Sequence, residues 1–254
     1  MPLETYIPSD ALKPFIQSFG IQQQEHEETY KVLPGTGLVL GFQYTGRLSK
    51  IKANEVVQLS TAGITGLQDG YSVFKNQAGT GTVLVFFKAG GAAAFFRQPL
   101  HELFRESVSL DNFMLRSELL LLEEQLCEGR DGKARINIVE RFLLQRMNVT
   151  PPDQLIVTAL SLIHKAKGII RIQELARQLH TSQSPLEKKF RAVVGASPKK
   201  FASIIRMKNA IAQHANTGSL TELSYEAGFY DQAHFIKEFK TFTGETPEAF
   251  FGKK

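Results

Sequence analysis

One stretch near the carboxy terminus decides the fold of this chain, and it reads Glu222-Leu-Ser-Tyr-Glu-Ala-Gly228-Phe-Tyr-Asp-Gln-Ala-His234-Phe-Ile-Lys-Glu-Phe239-Lys-Thr-Phe-Thr-Gly244-Glu-Thr-Pro247-Glu-Ala-Phe-Phe251. Two short amphipathic helical patterns meet here across a glycine-containing turn, and a Gly-x-Thr-Pro segment then restarts a helix. The apolar side chains at 235, 239 and 242 are spaced by four and three, so they share one helix face. The stretch therefore predicts two short helices joined by a tight turn and followed by a third.

The same pattern occurs once before, about 49 residues upstream. Gly195, Pro198 and Phe201 match Gly244, Pro247 and Phe250 at this offset, and Glu174-Leu175 matches Glu222-Leu223 at 48. The one-residue slip falls between the two helices of a unit, where a turn tolerates it. Two copies of one supersecondary unit are therefore predicted. A short helix behind a second helix with a polar outer face is the plan of a helix-turn-helix unit, whose second helix enters the major groove of DNA.

Charge and composition narrow the function classes. Residues 151–254 carry 15 Lys and Arg against 9 Asp and Glu, whereas residues 1–150 carry 15 against 16. This asymmetry indicates a polyanion, such as double-stranded DNA, as the partner of the second part only. No apolar run is long enough for a membrane span, no secretory signal is visible, and the one cysteine, Cys127, has no partner for an internal disulfide. A cytoplasmic protein is expected.

A connecting helix from about 198 to 215 would be about 26 Å long at 1.5 Å per residue. Major grooves on one face of a duplex recur about every 34 Å, so this helix would set two recognition helices in successive grooves. Lys199, Lys200, Arg206 and Lys208 lie on or near it and are predicted to contact phosphates.

Residues 155–251 resemble the DNA-binding domain of the AraC/XylS family of transcription regulators. The match rests on Leu186-x3-Phe190-x4-Gly195, on Ser197-Pro198, and on the run from Ala227-Gly228-Phe229 to Phe250. The resemblance implies a double helix-turn-helix DNA binder behind a sensing or dimerising domain, with RNA polymerase as a further partner. Carried over by position, the base-reading candidates are Ser184, Glu187 and Lys188 in the first unit, and Gln232, Ala233, His234 and Lys237 in the second. Arg191 and Lys240 complete the predicted DNA-binding set.

The first hundred residues have a sequence pattern typical of β-strands. Short β-branched or aromatic runs at 37–44, 56–59 and 81–88 are bounded by glycines, which favours an antiparallel barrel or sandwich, a cupin-like barrel among the options. One short helix is expected before residue 20. Aromatic residues predict a pocket for a small-molecule effector, with an ordinary apolar core as the alternative; the pocket candidates are Phe42, Tyr44, Phe74 and Phe86.

Past Pro99 the apolar residues recur with the period of a helix. They lie at 115, 119, 122 and 126, and a second helical pattern runs from 136 to 147. The two patterns predict a helical hairpin. Residues 119–122 are four consecutive leucines, which are more than one apolar helix face can bury. Part of the hairpin is therefore expected to pair subunits in a homodimer. Pro151-Pro152 ends the hairpin, since two prolines in succession do not sit inside a helix.

The residue pattern offers little for catalysis. Only His26 and His101 of the six histidines lie in the β-rich region, and no His-x-His or His-x3-His pair occurs. A metal site needs several converging ligands, so none is expected. No Gly-x4-Gly-Lys or Gly-x-Gly-x2-Gly motif is present either, and neither a cofactor nor an enzymatic activity is predicted.

Together these patterns predict a multidomain α+β protein with a β-rich sensor domain at 1–107, a dimerising helical hairpin at 108–150 and an all-α DNA-binding domain at 151–254. The predicted function is sequence-specific transcription regulation by a homodimer under the control of its amino-terminal domain. The alternative is a ligand-binding or enzymatic β-barrel whose helical tail is a protein-interaction module. That alternative predicts no salt-dependent affinity for DNA.

Overall fold

The structure, a computed structural model, describes residues 3–53, 55–148, 151–214 and 219–252. Within these ranges the first 109 residues form short strands. Their bounds are Glu4–Tyr6 (β1), Ile16–Gln24 (β2), Glu28–Val32 (β3), Val39–Thr45 (β4), Leu48–Lys52 (β5), Glu55–Gln58 (β6), Ala62–Thr65 (β7), Ser72–Asn76 (β8), Thr80–Phe87 (β9) and Ser107–Ser109 (β10).

The strands form two antiparallel sheets that do not close into a barrel. The larger sheet has the order β1-β2-β9-β4-β7-β10, and the smaller has the order β3-β8-β5-β6. Successive side chains of a strand point to opposite faces of the sheet. On β4 and β9 this places Leu40, Phe42, Val83 and Val85 in the core, each with no solvent exposure. The sandwich form of the predicted β-rich region is therefore the one observed.

Helices make up the rest of the described chain. Their bounds are Arg116–Glu128 (α1), Gly132–Leu144 (α2), Gln154–Lys165 (α3), Ile172–Gln178 (α4), Gln183–Val194 (α5), Pro198–Gln213 (α6), Leu220–Glu226 (α7), Gln232–Thr243 (α8) and Pro247–Phe251 (α9). The hairpin α1–α2 covers one face of the larger sheet, where the rings of Phe42 and Phe142 lie 6.1 Å apart edge to face. The predicted hairpin and the two repeated helix pairs are thus present.

One apolar core runs from the sheets into the carboxy-terminal helices. It joins Phe19 and Val85 of the larger sheet to Val139 of the hairpin and to Leu186 and Phe190 of α5. A second, smaller core belongs to α7, α8 and the end of α6, and it is built around Phe235 and Phe239. The first helix pair therefore shares its core with the β-rich part, whereas the second has a core of its own.

The predicted division into residues 1–107, 108–150 and 151–254 stays a prediction. Residues 149 and 150, at its second boundary, and residue 215, the predicted end of the connecting helix, lie outside the described residues. Two local expectations differ from the structure. The short helix expected before residue 20 is only a turn at 10–15, because β2 begins at Ile16 and pairs with β9. The hairpin's first helix begins at Arg116, after a short 3₁₀ turn at Leu110–Asn112.

Candidate nucleic-acid interface

The second helix of each repeated pair, α5 and α8, buries one face and exposes the other. Leu186 and Phe190 of α5 are fully buried, as are Phe235 and Phe239 of α8. Spacing by four residues places each pair on one face, so the polar positions between them must face outward. Ser182 and Asp231 stand at the two N-caps. Only Asp231 uses its side chain there, accepting a hydrogen bond of 2.7 Å from the backbone N–H of His234.

The outer face of α5 carries its four predicted DNA-binding residues, Ser184, Glu187, Lys188 and Arg191, and all are exposed. Glu187 Oε1 lies 3.8 Å from Arg191 Nη1, one helical turn away. The charge of Glu187 is therefore offset locally by an arginine, which reduces its repulsion of a phosphate backbone.

The outer face of α8 carries two lysines and no carboxylate among its predicted DNA-binding residues. Ala233, His234, Lys237 and Lys240 are exposed, and Gln232 is half-buried. Gln232 Oε1 accepts a hydrogen bond of 3.1 Å from the Thr221 hydroxyl of α7, the first helix of the same unit. The Lys237 ammonium group has no carboxylate within ion-pair distance among the described residues, so it is available for an acceptor on DNA.

The four predicted phosphate contacts on α6 differ in their surroundings, and one of them, Lys208, lines the cavity described below. Lys199 is exposed and unpaired within the described part of the chain. Lys200 is exposed, but its Nζ lies 2.7 Å from Asp69 Oδ2, on the loop between β7 and β8. Arg206 lies inward, because its Nη2 donates to Glu238 Oε2 of α8 at 2.9 Å. The structure therefore groups Arg206 with the packing of α8 rather than with the exposed lysines.

The turns inside the two units occupy the same backbone region with different residues. His180 has φ of 51° in the first unit, and Gly228 has φ of 71° in the second. These positive φ values lie in the left-handed region, which glycine enters without the steric cost that a side chain brings. The equivalence supports two copies of one unit, of which the second is the less strained.

Family comparisons agree with this geometry. Residues 175–253 match a family described as "Helix-turn-helix domain", a range that runs from the first helix of unit one to the end of unit two. The chain carries an AraC-type helix-turn-helix domain. The resemblance to the AraC/XylS family is thereby confirmed for the carboxy-terminal part. Residues 4–109, which contain both sheets, match a family described as "Domain of unknown function (DUF6597)".

Individual proteins are similar over longer or shorter parts. The Msm operon regulatory protein of Streptococcus mutans is 28% identical over 153 residues, which cover 59% of this chain and 55% of that protein. The chain thus matches about half the length of this relative. ToxT from Vibrio cholerae is 12% identical, with 92% of this chain and 97% of ToxT covered and a TM-score of 0.48. The C-terminal domain of AraT from Geobacillus stearothermophilus is 20% identical, with 41% and 89% covered and a TM-score of 0.39.

A cavity of about 650 Å³ lies between the two sheets, beside the AraC-type domain. Its walls are mostly apolar side chains and backbone, with hydroxyl and amide groups from Gln22, Gln43 and Ser107 among them. The charged side chain in its lining is Lys208, which comes from α6 of the AraC-type domain. Ligand sites in proteins have this size and this mixture of apolar wall and few polar groups.

The alternation of β4 decides which of the predicted pocket residues reach the cavity. Phe74 and Phe86 line it, whereas Phe42 and Tyr44 are on the opposite face of the larger sheet. There Phe42 packs on Phe142 of the hairpin, and the Tyr44 ring lies 4.0 Å below the Arg135 guanidinium. Val39, Gly41 and Gln43, one residue out of phase, line the cavity instead. A period-two reading of β4 identifies these residues, whereas aromatic content does not.

The described residues contain neither a metal-binding cluster nor a membrane-spanning helix. No three His, Cys, Asp or Glu side chains come together in a way that would hold a metal ion. In the same ranges no helix combines the length and apolar character that crossing a membrane requires.

Proposed function

We propose that this protein is a sequence-specific DNA-binding transcription regulator, acting in the cytoplasm. The observation that carries the proposal is the pair of helices α5 and α8. Each is anchored by buried aromatic or aliphatic residues and presents a polar, partly cationic face to solvent, within a domain of the AraC type. Such helices read base edges in the major groove, while lysines beside them bind phosphates.

Within this function the two units divide the work. The outer face of α8 offers Gln232, His234 and Lys237, side chains that can hydrogen-bond base edges, so we assign base selectivity to it. We assign much of the binding strength, which is electrostatic in DNA complexes, to Lys188 and Arg191 of α5 and to Lys199, which follows α5 in the chain.

A selection experiment tests the proposal. The full chain is incubated with a randomised duplex library at physiological salt, and the bound duplexes are amplified and sequenced. A regulator is expected to enrich one motif and to bind it at least about a thousandfold more tightly than a scrambled duplex. Equal affinity for enriched and scrambled duplexes would remove the regulator function.

We propose further that the cavity between the sheets binds a small-molecule effector. Its wall suits a molecule with an apolar body, and Lys208 suits a single anionic or acceptor group on that molecule. Because Lys208 belongs to α6, which also carries Lys199 and Lys200, a ligand bound there would contact the DNA-binding domain directly.

The anionic apolar dye 1-anilinonaphthalene-8-sulfonate is a suitable probe of this cavity. The variant Gly41→Leu fills the cavity from β4, where an added Cβ would have its nearest neighbour, Leu84 Cδ2, at 3.7 Å. We expect dye fluorescence to fall strongly in Gly41→Leu and the dye affinity to weaken in Lys208→Ala. Undiminished fluorescence in a folded Gly41→Leu variant would mean that the dye binds elsewhere.

We also propose a homodimer formed through α1. Leu120 and Leu121 are 50% and 56% exposed on this helix, whereas Leu119 and Leu122 are buried. Adjacent exposed leucines of this kind suit a self-complementary interface. Sedimentation velocity should show a dimer for the wild type and a monomer for the double variant Leu120→Glu and Leu121→Glu. The control is Val56→Glu, which changes an equally exposed apolar residue on β6 and should leave the dimer intact.

A further inference from the structure

We propose that Arg206 is a positioning residue for the second recognition helix, acting through Glu238, and that it makes no phosphate contact. The inference deepens the proposed DNA-binding function and rests on it. Its basis is a cluster in which one carboxylate on α8 meets side chains from α6 and from its own helix.

Two contacts hold the Arg206 guanidinium, a hydrogen bond at its edge and an aromatic ring against its face. Its Nη2 donates to Glu238 Oε2 at 2.9 Å, and its Cζ lies 4.1 Å from the centre of the buried Phe229 ring. The side chain is only 20% exposed. To reach a phosphate outside the protein, the Arg206 side chain would have to leave both partners and expose the buried Phe229 ring to solvent. Lys199, on the same helix, reaches solvent with no such loss.

Three polar side chains surround the two carboxylate oxygens of Glu238, and two of them donate hydrogen bonds to it. Oε2 accepts from Arg206 and, at 3.3 Å, from the Ser203 hydroxyl, both on α6, while Oε1 lies 3.2 Å from His234 Nε2, one turn earlier on α8. The His234 ring also packs edge to face on Phe229, with centroids 5.4 Å apart. A single carboxylate therefore ties the connecting helix to the base-reading face of α8.

This geometry restrains the rotation of α8 about its own axis. The apolar contacts of Phe235 and Phe239 fix the depth of the helix, but apolar contacts are not directional. Hydrogen bonds from a planar guanidinium are directional, so they add a preferred angle. Rotation of α8 would move Lys237 and Gln232 away from their base edges while leaving the exposed lysines near phosphates. Loss of the pair should therefore cost specificity more than general affinity.

Salt titrations separate positioning from phosphate contact. Affinities of the full chain for the enriched duplex and for a scrambled duplex are measured over a range of salt concentrations. For Arg206→Ala we expect roughly tenfold weaker binding of the enriched duplex with the salt slope unchanged, since no counterion-releasing contact is lost. The matched variant Lys199→Ala should instead weaken both duplexes and reduce the slope by about 0.9.

Two further variants complete the test. Arg206→Lys keeps the charge but lacks the planar guanidinium that lies on the Phe229 ring, so we expect it to lose specificity nearly as Arg206→Ala does. The double variant of Arg206→Ala with Glu238→Ala should lose no more specific affinity than either single variant, because both act through one pair. Circular dichroism confirms that each variant is folded.

The outcomes are distinct. Three results would overturn the positioning role. They are a reduced salt slope in Arg206→Ala, wild-type affinity for the enriched duplex in Arg206→Lys, and additive losses of specific affinity in the double variant. If the wild-type protein prefers no duplex over a scrambled one, the proposed regulator function itself fails, and the inference fails with it.

Discussion

At the scale of single residues, some cationic side chains of the AraC-type domain have an ion-pair partner within the protein and others have none among the described residues. Lys189 lies 3.1 Å from Asp153, Arg191 lies 3.8 Å from Glu187, and Lys200 is bound by Asp69. Lys199 and Lys237 have no carboxylate within ion-pair distance in the described ranges of the chain. An unpaired surface ammonium group gains more from a new acceptor than a paired one does. We therefore expect Lys199 and Lys237 to contact DNA, together with Lys188 and Lys240, which are exposed and equally unpaired among the described residues.

Substitution of Lys199 and of Lys237 should have different effects. Lys237→Ala on α8 is expected to cost about 1–3 kcal/mol of specific binding and to relax preference at one base pair. Lys199→Ala is expected to weaken all sequences alike and to lower the salt slope by about 1. Competition binding with single-base variants of the enriched duplex measures both effects. If Lys237→Ala weakened binding to the enriched and scrambled duplexes equally, Lys237 would be a contact to the DNA phosphate backbone instead.

At the scale of elements, the second helix-turn-helix unit is the more regular copy. It has a glycine in its left-handed turn position and an aspartate that caps α8, whereas the first unit has His180 and an N-cap serine without a side-chain cap bond. Pro185 lies in the first turn of α5, where backbone N–H groups have no intrahelical acceptor, so it costs no hydrogen bond there. The first unit depends on the shared core to hold its shape.

The turn of the second unit should be sensitive to a single methyl group. At Gly228 an added Cβ would lie 2.6 Å from Ile169 Cγ2, a short branched group with little freedom to move. At Gly79, which has a similar φ of 74°, an added Cβ meets nothing within 4 Å. Urea unfolding should therefore show a loss of about 1–2 kcal/mol for Gly79→Ala, from the left-handed conformation alone. A further 1–3 kcal/mol is expected for Gly228→Ala from overpacking, and equal losses would contradict this turn geometry.

At the scale of the whole molecule, the loop between β7 and β8 rests on the AraC-type domain. Asp69 accepts from Arg105 of the β-rich part and from Lys200 of α6. Beside it, Gly70 approaches the Thr241 carbonyl, and Tyr71 covers Gly244 at the end of α8. Burial raises the pKa of the Asp69 carboxyl, but its hydrogen bonds with Arg105 and Lys200 outweigh burial and hold that pKa below its usual value.

The sign of this pKa shift says when the contact is present. A carboxyl whose pKa is lowered by folding adds stability above its unfolded pKa, and this stability is lost as the pH falls through the folded value. The Asp69 contact is therefore intact at neutral pH and is lost only in acid. A change of pH near neutrality would leave it in place, so any release under those conditions must come from a competing ligand or DNA.

Removal of Asp69 should strengthen DNA binding. Asp69→Ala frees Lys200 for a phosphate, so we expect tighter binding of enriched and scrambled duplexes alike and a salt slope steeper by about 1. Asp111→Ala is the control, since it removes the same charge from a carboxylate paired with Arg116, on the amino-terminal side of α1. Fluorescence anisotropy measures both variants. If the two behave identically, the gain is a general charge effect, and the loop does not restrain Lys200.

Much of the carboxy-terminal domain could be predicted because its signals are local. The spacing of Phe235, Phe239 and Phe242 determines a helix face, Asp231 determines where α8 begins, and the match of Gly195 to Gly244 reveals the repeat. Strands were harder to predict. The β2 strand includes Gln22-Gln-Gln24 and was missed, since its stability comes from pairing with β9, more than fifty residues away. A strand stabilised by distant partners leaves a weak trace in its own sequence.

By itself, the sequence determined the double helix-turn-helix, the β-rich first part and the outward faces of α5 and α8, because helix periods, caps and turns act over a few residues. Only the tertiary structure decided that Phe42 and Tyr44 lie opposite the cavity, that Arg206 turns inward to Glu238, and that Lys200 is held by Asp69. Each of these depends on which distant element packs against which face. A side chain's partner across a long stretch of chain is set by the packing of the whole molecule, which local spacing does not contain.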